Sequence, residues 1–322
     1  MHGGMKHMNY KWQSVVEIQR LVGKKVLIAG GTGFIGKRLV HYLEKNEIET
    51  YVITRQKLTD KKYVTYLNID LHDKDKLEKI SEELKFDVLV YLAANIPTAD
   101  AKKETYQDSL DSTLIPFVNF CTAFVNENSR LIYASSVDVL GNCAKEEYTE
   151  NMLPSVATPY GLAKYCGEFY AKNMCAKAGA KCLIYRFAQV YGPNEPIVRI
   201  IPILKNALLL HDKFEIWTSG TEKRRFLYVD DAVQALALGI TGEFEGIYNI
   251  AGEEVITMLE LVQLMESVFE EKLDYDVLNK VRGIDNIPSI NKAKSELGFM
   301  PEVSMKRGLV NVKGGEGFEN NN

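Results

Sequence analysis

Leu27–Leu39 reads LIAGGTGFIGKRL, with four glycines between Gly30 and Gly36. The apolar run KKVLIAG precedes them, and FIGKRLVHYLEKN, with apolar residues at helical spacing, follows. Glycine weakens strands and helices alike, so its density here implies that something must approach this backbone closely. Gly31, Gly33 and Gly36 fit G-x-G-x-x-G, while Gly30, Gly33 and Gly36 fit G-x-x-G-x-x-G. The strand-loop-helix context is the one a dinucleotide-binding turn requires. One glycine permits the turn, another admits a pyrophosphate, and the third lets helix and strand pack. The helix start then offers unpaired N–H groups and a positive dipole end. Gly30, Thr32, Gly33, Phe34, Ile35 and Gly36 are the expected cradle.

The pattern repeats outward. ETYVITR, FDVLVYLAA, RLIYASS and AKCLIYRFAQVYG read as buried strands. DKDKLEKISEEL, DSLDSTLIPFVNFCTAFVNEN and PYGLAKYCGEFYAKNMCAKAGA read as the helices between them. Strands apolar on both faces and separated by helices predict an α/β fold, a Rossmann-type doubly wound parallel sheet. After YGPNEP the pattern loosens. IVRIIPILKNALLL, VDDAVQALALGIT and TMLELVQLMESVFEEKL are helical, and KFEIWTSG and GIYNIAG are strand-like. The expected organisation is an extension over 1–23 and a dinucleotide-binding domain over 24–192. A smaller α/β substrate-binding domain over 193–312 sends segments back to the main sheet, and a disordered Gly/Asn-rich tail covers 313–322.

The 322 residues are 46% hydrophobic and 25% charged, with a net charge of −4, enough apolar content for a full core. The mixed charge provides no basic stripe for nucleic acid and no polybasic membrane patch. No apolar run reaches membrane-spanning length, and MHGGMKHMNYKWQ lacks the apolar core of a secretory signal. The five scattered cysteines form no CxxC pair, and the five histidines lack ligand spacing. Reduced thiols, a cytoplasmic location and no metal are the expectations.

NAD-binding turns place an acid about 20 residues further on to hold the ribose 2′-hydroxyl. Here VITRQ places Thr54 there, followed by Arg55. A guanidinium suits a 2′-phosphate, which favours NADP(H) over NAD(H). In TPYGLAKYCGE, Tyr160 and Lys164 stand four apart behind a capping Thr158 and Pro159. They therefore share a helix face, where an ammonium beside a phenol favours the phenolate. Ser136 ends the strand RLIYASS, and open parallel sheets bind ligands at the carboxyl ends of their strands.

These residues make the sequence resemble the extended short-chain dehydrogenase/reductases, or NAD-dependent epimerase/dehydratases, which act on nucleotide sugars. The resemblance spans roughly 24–309 through GGTGFIG, NID, YLAA, SSVDVLG, YGLAK, YRFAQVYGP, RRFLYVDD and YNIAG, in family order. It implies that Ile69, Asp70 and Leu71 meet the adenine, and that Leu92, Ala93 and Ala94 line the cofactor path. Ser136 would hold the reacting sugar oxygen, Tyr160 would be the acid/base, and Lys164 would hold the nicotinamide ribose and tune Tyr160. Asn95, Val137, Asp138 and Gln189 would border the substrate, Arg224 would grip its diphosphate, and a homodimer would form through helices beginning near Ser109 and Tyr160.

The departures from the family pattern narrow the expectation. Leu140 replaces a tyrosine, an asparagine is missing near Ser109, and Gln189 stands where asparagine is frequent. Family dehydratases place Asp then Glu after the serine or threonine, where this chain has Val137 and Asp138. Expelling water from C6 needs an acid to protonate the leaving oxygen, so this change speaks against dehydration. The expected function is NADPH-dependent reduction of a nucleotide-linked 4-keto-6-deoxysugar. The alternatives are a 4-epimerase or 4,6-dehydratase with tightly held NAD, and a cofactor-binding protein without catalysis.

Overall fold

The computed structural model describes Leu21 and residues 23–95, 105–141, 147–195 and 199–315. Strand β1, Val26–Ala29, is the centre from which it is built. All four side chains are buried and alternate between two cores, with Val26 and Ile28 on one face of the sheet and Leu27 and Ala29 on the other. Burying an aliphatic side chain contributes about 1.5–3 kcal/mol. A misplaced glycine costs roughly 0.5–1 kcal/mol, so this strand readily carries the glycine turn at its end.

Parallel strands flank it: β2 (Thr50–Thr54), β3 (Val64–Asn68), β4 (Val88–Tyr91), β5 (Arg130–Ser136), β6 (Lys181–Phe187) and, from further along the chain, β10 (Gly246–Ile250). The order is β10-β6-β5-β4-β1-β2-β3, with Val26 opposite both Thr50 and Val88. The chain thus reverses direction across the sheet between β1 and β4, which opens a crevice at their carboxyl ends. The fold is the doubly wound parallel sheet that the sequence predicts.

Helices α1 (Phe34–Lys45), α2 (Lys74–Glu83), α3 (Tyr106–Ser109), α4 (Ile115–Phe124) and α5 (Pro159–Ala178) pack on the sheet, and a π-helical turn, Leu110–Leu114, joins α3 to α4. Asp73 caps α2, accepting from the Lys76 N–H at 3.2 Å. In α5, Thr158 accepts from the Gly161 N–H at 3.0 Å, Pro159 occupies the first turn, and Gly179 ends the helix at φ +73°.

A third core joins the small sheet β11-β9-β7 to α6 (Ile200–Leu210), α8 (Met258–Phe269) and α9 (Met305–Gly314). Its strands are β7 (Gln189–Tyr191), β9 (Lys223–Tyr228) and β11 (Val255–Thr257). Helix α7 (Val229–Thr241) packs against α1, and β8 (Phe214–Ile216) pairs with β12 (Tyr275–Val277).

Several details differ from the sequence expectation. Edge strand β3 and strand β9 were not anticipated, because their half-buried, polar-interrupted runs lack a clean apolar signature. AKCLIYRFAQVYG is not one strand: the chain breaks at Ala188 and passes from the main sheet into the small one. Helix α9 continues through Gly314, so Lys313 and Gly314 are helical rather than part of a disordered tail. Among the described residues, no helix is long and apolar enough to cross a membrane.

Candidate active site

The glycine turn is shaped by close backbone approach. Gly30 has φ +86°, and a Cβ there would lie 2.6 Å from the Ala93 nitrogen on the neighbouring strand's exit. A Cβ on Gly36 would collide with the Gly30 carbonyl. Gly33 caps α1 without a side-chain hydrogen bond, which leaves the first N–H groups of the helix for a ligand. Arg38 ties this helix to what lies above it: its guanidinium donates to the Pro193 carbonyl at 2.8 Å and stands 3.5 Å from Asp230.

The turn forms one wall of a cleft of about 270 Å³. Gly30, Gly33, Phe34, Ile35, Gly36, Leu92 and Ala94 line it together with Ser136, Tyr160 and Lys164. These cofactor and catalytic candidates therefore converge, although they come from four separate segments. Tyr160 is 7% exposed and Lys164 is 2% exposed. Lys164 Nζ donates to the Ala134 carbonyl at 2.7 Å and lies 5.7 Å from the Tyr160 ring centre. Burial pulls its pKa down to about 7, partly opposed by the Glu168 carboxylate. Ser136 accepts from the Asp138 N–H at 3.2 Å, which turns the chain away from β5. Val137 is buried, and Asp138 is half-buried. Burial raises the Asp138 pKa against the pull of Arg199.

Other sequence candidates lie outside the cleft lining. Thr32 is half-buried in the turn, and Ala93 contributes its backbone beside Gly30. Arg55 and Asp70 are exposed, at and just beyond the ends of β2 and β3. The Asp70 carboxylate is engaged locally: it accepts from the His72 N–H at 2.9 Å and meets the His72 ring, which holds its pKa low. Leu71 is fixed through its carbonyl by Asn119, at 3.0 Å. Asn95 is exposed at the edge of the described segment. Gln189 is half-buried, its amide nitrogen without a partner among the described residues, and Arg224 on β9 stands 3.4 Å from Glu222.

The model of the NAD dependent epimerase/dehydratase family matches residues 26–251. The chain belongs to that family. It is therefore an enzyme of the nicotinamide-dependent short-chain dehydrogenase/reductase type. A putative UDP-glucose 4-epimerase of Methanocaldococcus jannaschii is 27% identical over 89% of this chain and 96% of its own. The dTDP-4-dehydro-6-deoxyglucose reductase of Escherichia coli is also 27% identical, over 88% and 95%. The fold is shared with Bacillus cereus UDP-glucuronic acid 4-epimerase, solved with UDP-glucuronic acid and NAD, at TM-score 0.80 and 23% identity over 90% of this chain and 98% of that one.

Within this family member, two groups of residues escaped sequence reasoning. Glu195 and Arg199 line the cleft with Phe187, Ala188 and Val190; YGPNEP carries no spacing signal for them. Behind the cleft, Glu168 accepts from Ser135 Oγ at 2.6 Å and from Arg186 at 2.9 and 2.8 Å. All three residues are buried. The available clue was that Glu168 follows Lys164 by four residues and so shares its helix face.

Proposed function

We propose that this enzyme reduces a nucleotide-linked 4-keto-6-deoxysugar with NADPH. The observation that carries the reading is the convergence of Ser136, Tyr160 and Lys164 on the cleft walled by the glycine turn, with the apolar, buried Val137 immediately after Ser136. Such a site has groups to hold and protonate a carbonyl oxygen. It lacks an acid where family dehydratases carry one. The named activity of the Escherichia coli relative supports the same choice.

The turn fits a dinucleotide. Its positive-φ glycine and uncapped helix start leave N–H groups and room for a pyrophosphate. Gly30, Thr32, Gly33, Phe34, Ile35 and Gly36 would hold it. Ile69, Asp70 and Leu71 would border the adenine, and Leu92, Ala93 and Ala94 the path to the nicotinamide. Arg55, exposed at the end of β2, would face the 2′-phosphate. When bound, the nicotinamide supplies hydride.

The chain's own groups then manage the oxygen. Ser136 donates a hydrogen bond to the carbonyl, and Tyr160 gives the proton as negative charge develops there. Lys164, as ammonium, stabilises the phenolate left on Tyr160. Asn95, Val137, Asp138 and Gln189 border the sugar, and Arg224 meets the diphosphate. The third core, beyond residue 193, serves as the substrate-binding part. A homodimer through α4 and α5 completes the proposal.

The rival reading is a 4-epimerase with recycled NAD, which the Methanocaldococcus relative's description favours. One experiment separates them. Purified enzyme is mixed with NADPH and a panel of nucleoside-diphosphate 4-keto-6-deoxysugars, following absorbance and product. Stoichiometric NADPH loss, abolished in Tyr160→Phe, is expected. Turnover without added cofactor, by enzyme that retains NAD through purification, would instead establish the epimerase.

A further inference from the structure

One carboxyl oxygen in the cleft has no hydrogen-bond partner among the described residues. Glu195 lies four residues beyond β7 and lines the same cavity as Ser136, Tyr160 and Lys164. Its Oε2 is buried, with no hydrogen-bond partner among the described residues. The cation acting on it is Arg199, at the start of α6. A buried oxygen left in this way costs about 1–3 kcal/mol. An enclosed site retains such a group at that cost when a ligand satisfies it.

Arg199 links Glu195 to a second carboxyl group. The same guanidinium acts on Asp138, two residues beyond Ser136. Glu195 therefore feels the same cation as Asp138, and it shares the cleft lining with Ser136 and with Phe34 and Ile35 at the start of α1. We propose that Glu195 binds the sugar of the nucleotide sugar directly, its carboxyl group donating a hydrogen bond to a sugar oxygen. The inference rests on the nucleotide-sugar reading above and adds a contact to it.

Of the charged and titratable groups in the cleft lining, Arg199 at the start of α6 acts on Glu195, and Tyr160 and Lys164 on α5 share the lining. Burial outweighs the pull of Arg199 and lifts the Glu195 pKa to about 8. At pH 7 the group is mostly an undissociated acid and so has a proton to donate. Above about pH 8 it becomes a buried anion that can only accept. Affinity that needs the acid then falls about tenfold per pH unit, one proton being linked to each ligand bound.

The test is calorimetric binding to the NADP-loaded protein from pH 6 to 9.5. UDP-glucose, dTDP-glucose and GDP-mannose are each compared with the corresponding nucleoside diphosphate. For the nucleotide sugar that binds, the wild type should lose affinity above about pH 8. Glu195→Gln, which keeps an N–H donor and cannot ionise, should bind within about threefold at pH 7 and stay flat across that range. Glu195→Ala should bind about tenfold more weakly than the wild type does at pH 7 and stay flat across the range. Lys164 titrates equally in all of these proteins, so the difference between profiles isolates Glu195. The nucleoside diphosphates should show no such difference.

Identical wild-type and Glu195→Gln profiles, or the same shift with the nucleoside diphosphate alone, overturn this inference and leave the nucleotide-sugar reading standing. Failure of every nucleotide sugar to bind overturns both.

Discussion

Lys164 and Glu168 occupy successive turns of α5 on one buried face, yet they take different partners. The ammonium donates to the Ala134 carbonyl at 2.7 Å, and the carboxylate receives Ser135 at 2.6 Å and Arg186 at 2.8 Å. Ala134 and Ser135 directly precede Ser136 on β5. The two contacts thus fix the strand end that bears the serine against the helix that bears Tyr160. Removing one member of a buried ion pair leaves its partner charged and unsolvated, which costs about 3–5 kcal/mol. Glu168→Ala should lose that much in urea unfolding. Glu168→Leu combined with Arg186→Met should recover most of it. A single-variant loss below about 1 kcal/mol would mean that the pair does not hold the strand end.

The same neighbours set a pH dependence. Burial lowers the Lys164 pKa to about 7, and Glu168 opposes the shift. The ammonium is therefore present below about pH 7 and lost above it in the ligand-free protein. Between about 7 and the ordinary value of 10.5 the folded state holds fewer protons than the unfolded one, so this lysine makes stability increase with pH. The midpoint of thermal unfolding should rise from pH 7 to pH 9 more steeply in the wild type than in Lys164→Met. In steady-state rates, Glu168→Gln removes the opposing charge and should move the alkaline fall in kcat/KM to lower pH. Equal slopes in the melts and an unmoved rate profile would show that Lys164 does not titrate in this range.

The sequence made legible those parts of the fold where one local rule dominates. Buried all-apolar strands such as Val26–Ala29 announced the parallel sheet, and the glycines announced the turn behind Ala29. Thr158 and Pro159 placed the start of α5, which put Tyr160 and Lys164 on one face. Features that depend on distant segments stayed hidden. β3 is an edge strand whose inner positions are only partly covered, so its residues do not advertise burial. The break at Ala188 arises because Gln189–Tyr191 pairs with Phe226–Tyr228, a partner nearly forty residues on. Glu195 reaches the cleft because the chain leaves that pairing over Phe34 and Arg38, and Pro193 is held by Arg38 from the other side of the fold.

Arg55 provides a test of cofactor choice. It is exposed at the end of β2, and its charge reaches Asp70 and His72. A charge-assisted bond to a 2′-phosphate contributes about 1.5–3 kcal/mol. Arg55→Ala should therefore lower kcat/KM for NADPH about tenfold or more and leave that for NADH within about twofold. The measurement is the ratio of the two specificity constants with one keto-sugar substrate. An unchanged ratio would return Arg55 to the status of a solvated side chain.

The outer face of α5 bears on assembly. Tyr165 and Phe169, one helical turn apart, are 37% and 68% exposed. Tyr106 on α3 and Ile115 on α4 are 57% and 40% exposed. Helices α4 and α5 lie side by side, with Thr122 Oγ1 3.2 Å from Tyr170 Oη. An apolar surface of this kind is unfavourable in water and is satisfied when a second copy covers it. Light scattering should report a dimer for the wild type. Phe169→Glu should shift it toward monomer by placing a charge in an apolar contact, while leaving the fold intact by circular dichroism. Because Tyr160 and Lys164 face the opposite side of the same helix, the monomer should still bind nicotinamide cofactor. A wild type that is monomeric at micromolar concentration would overturn the dimer, and a variant that dimerises as well as its parent would place the interface elsewhere.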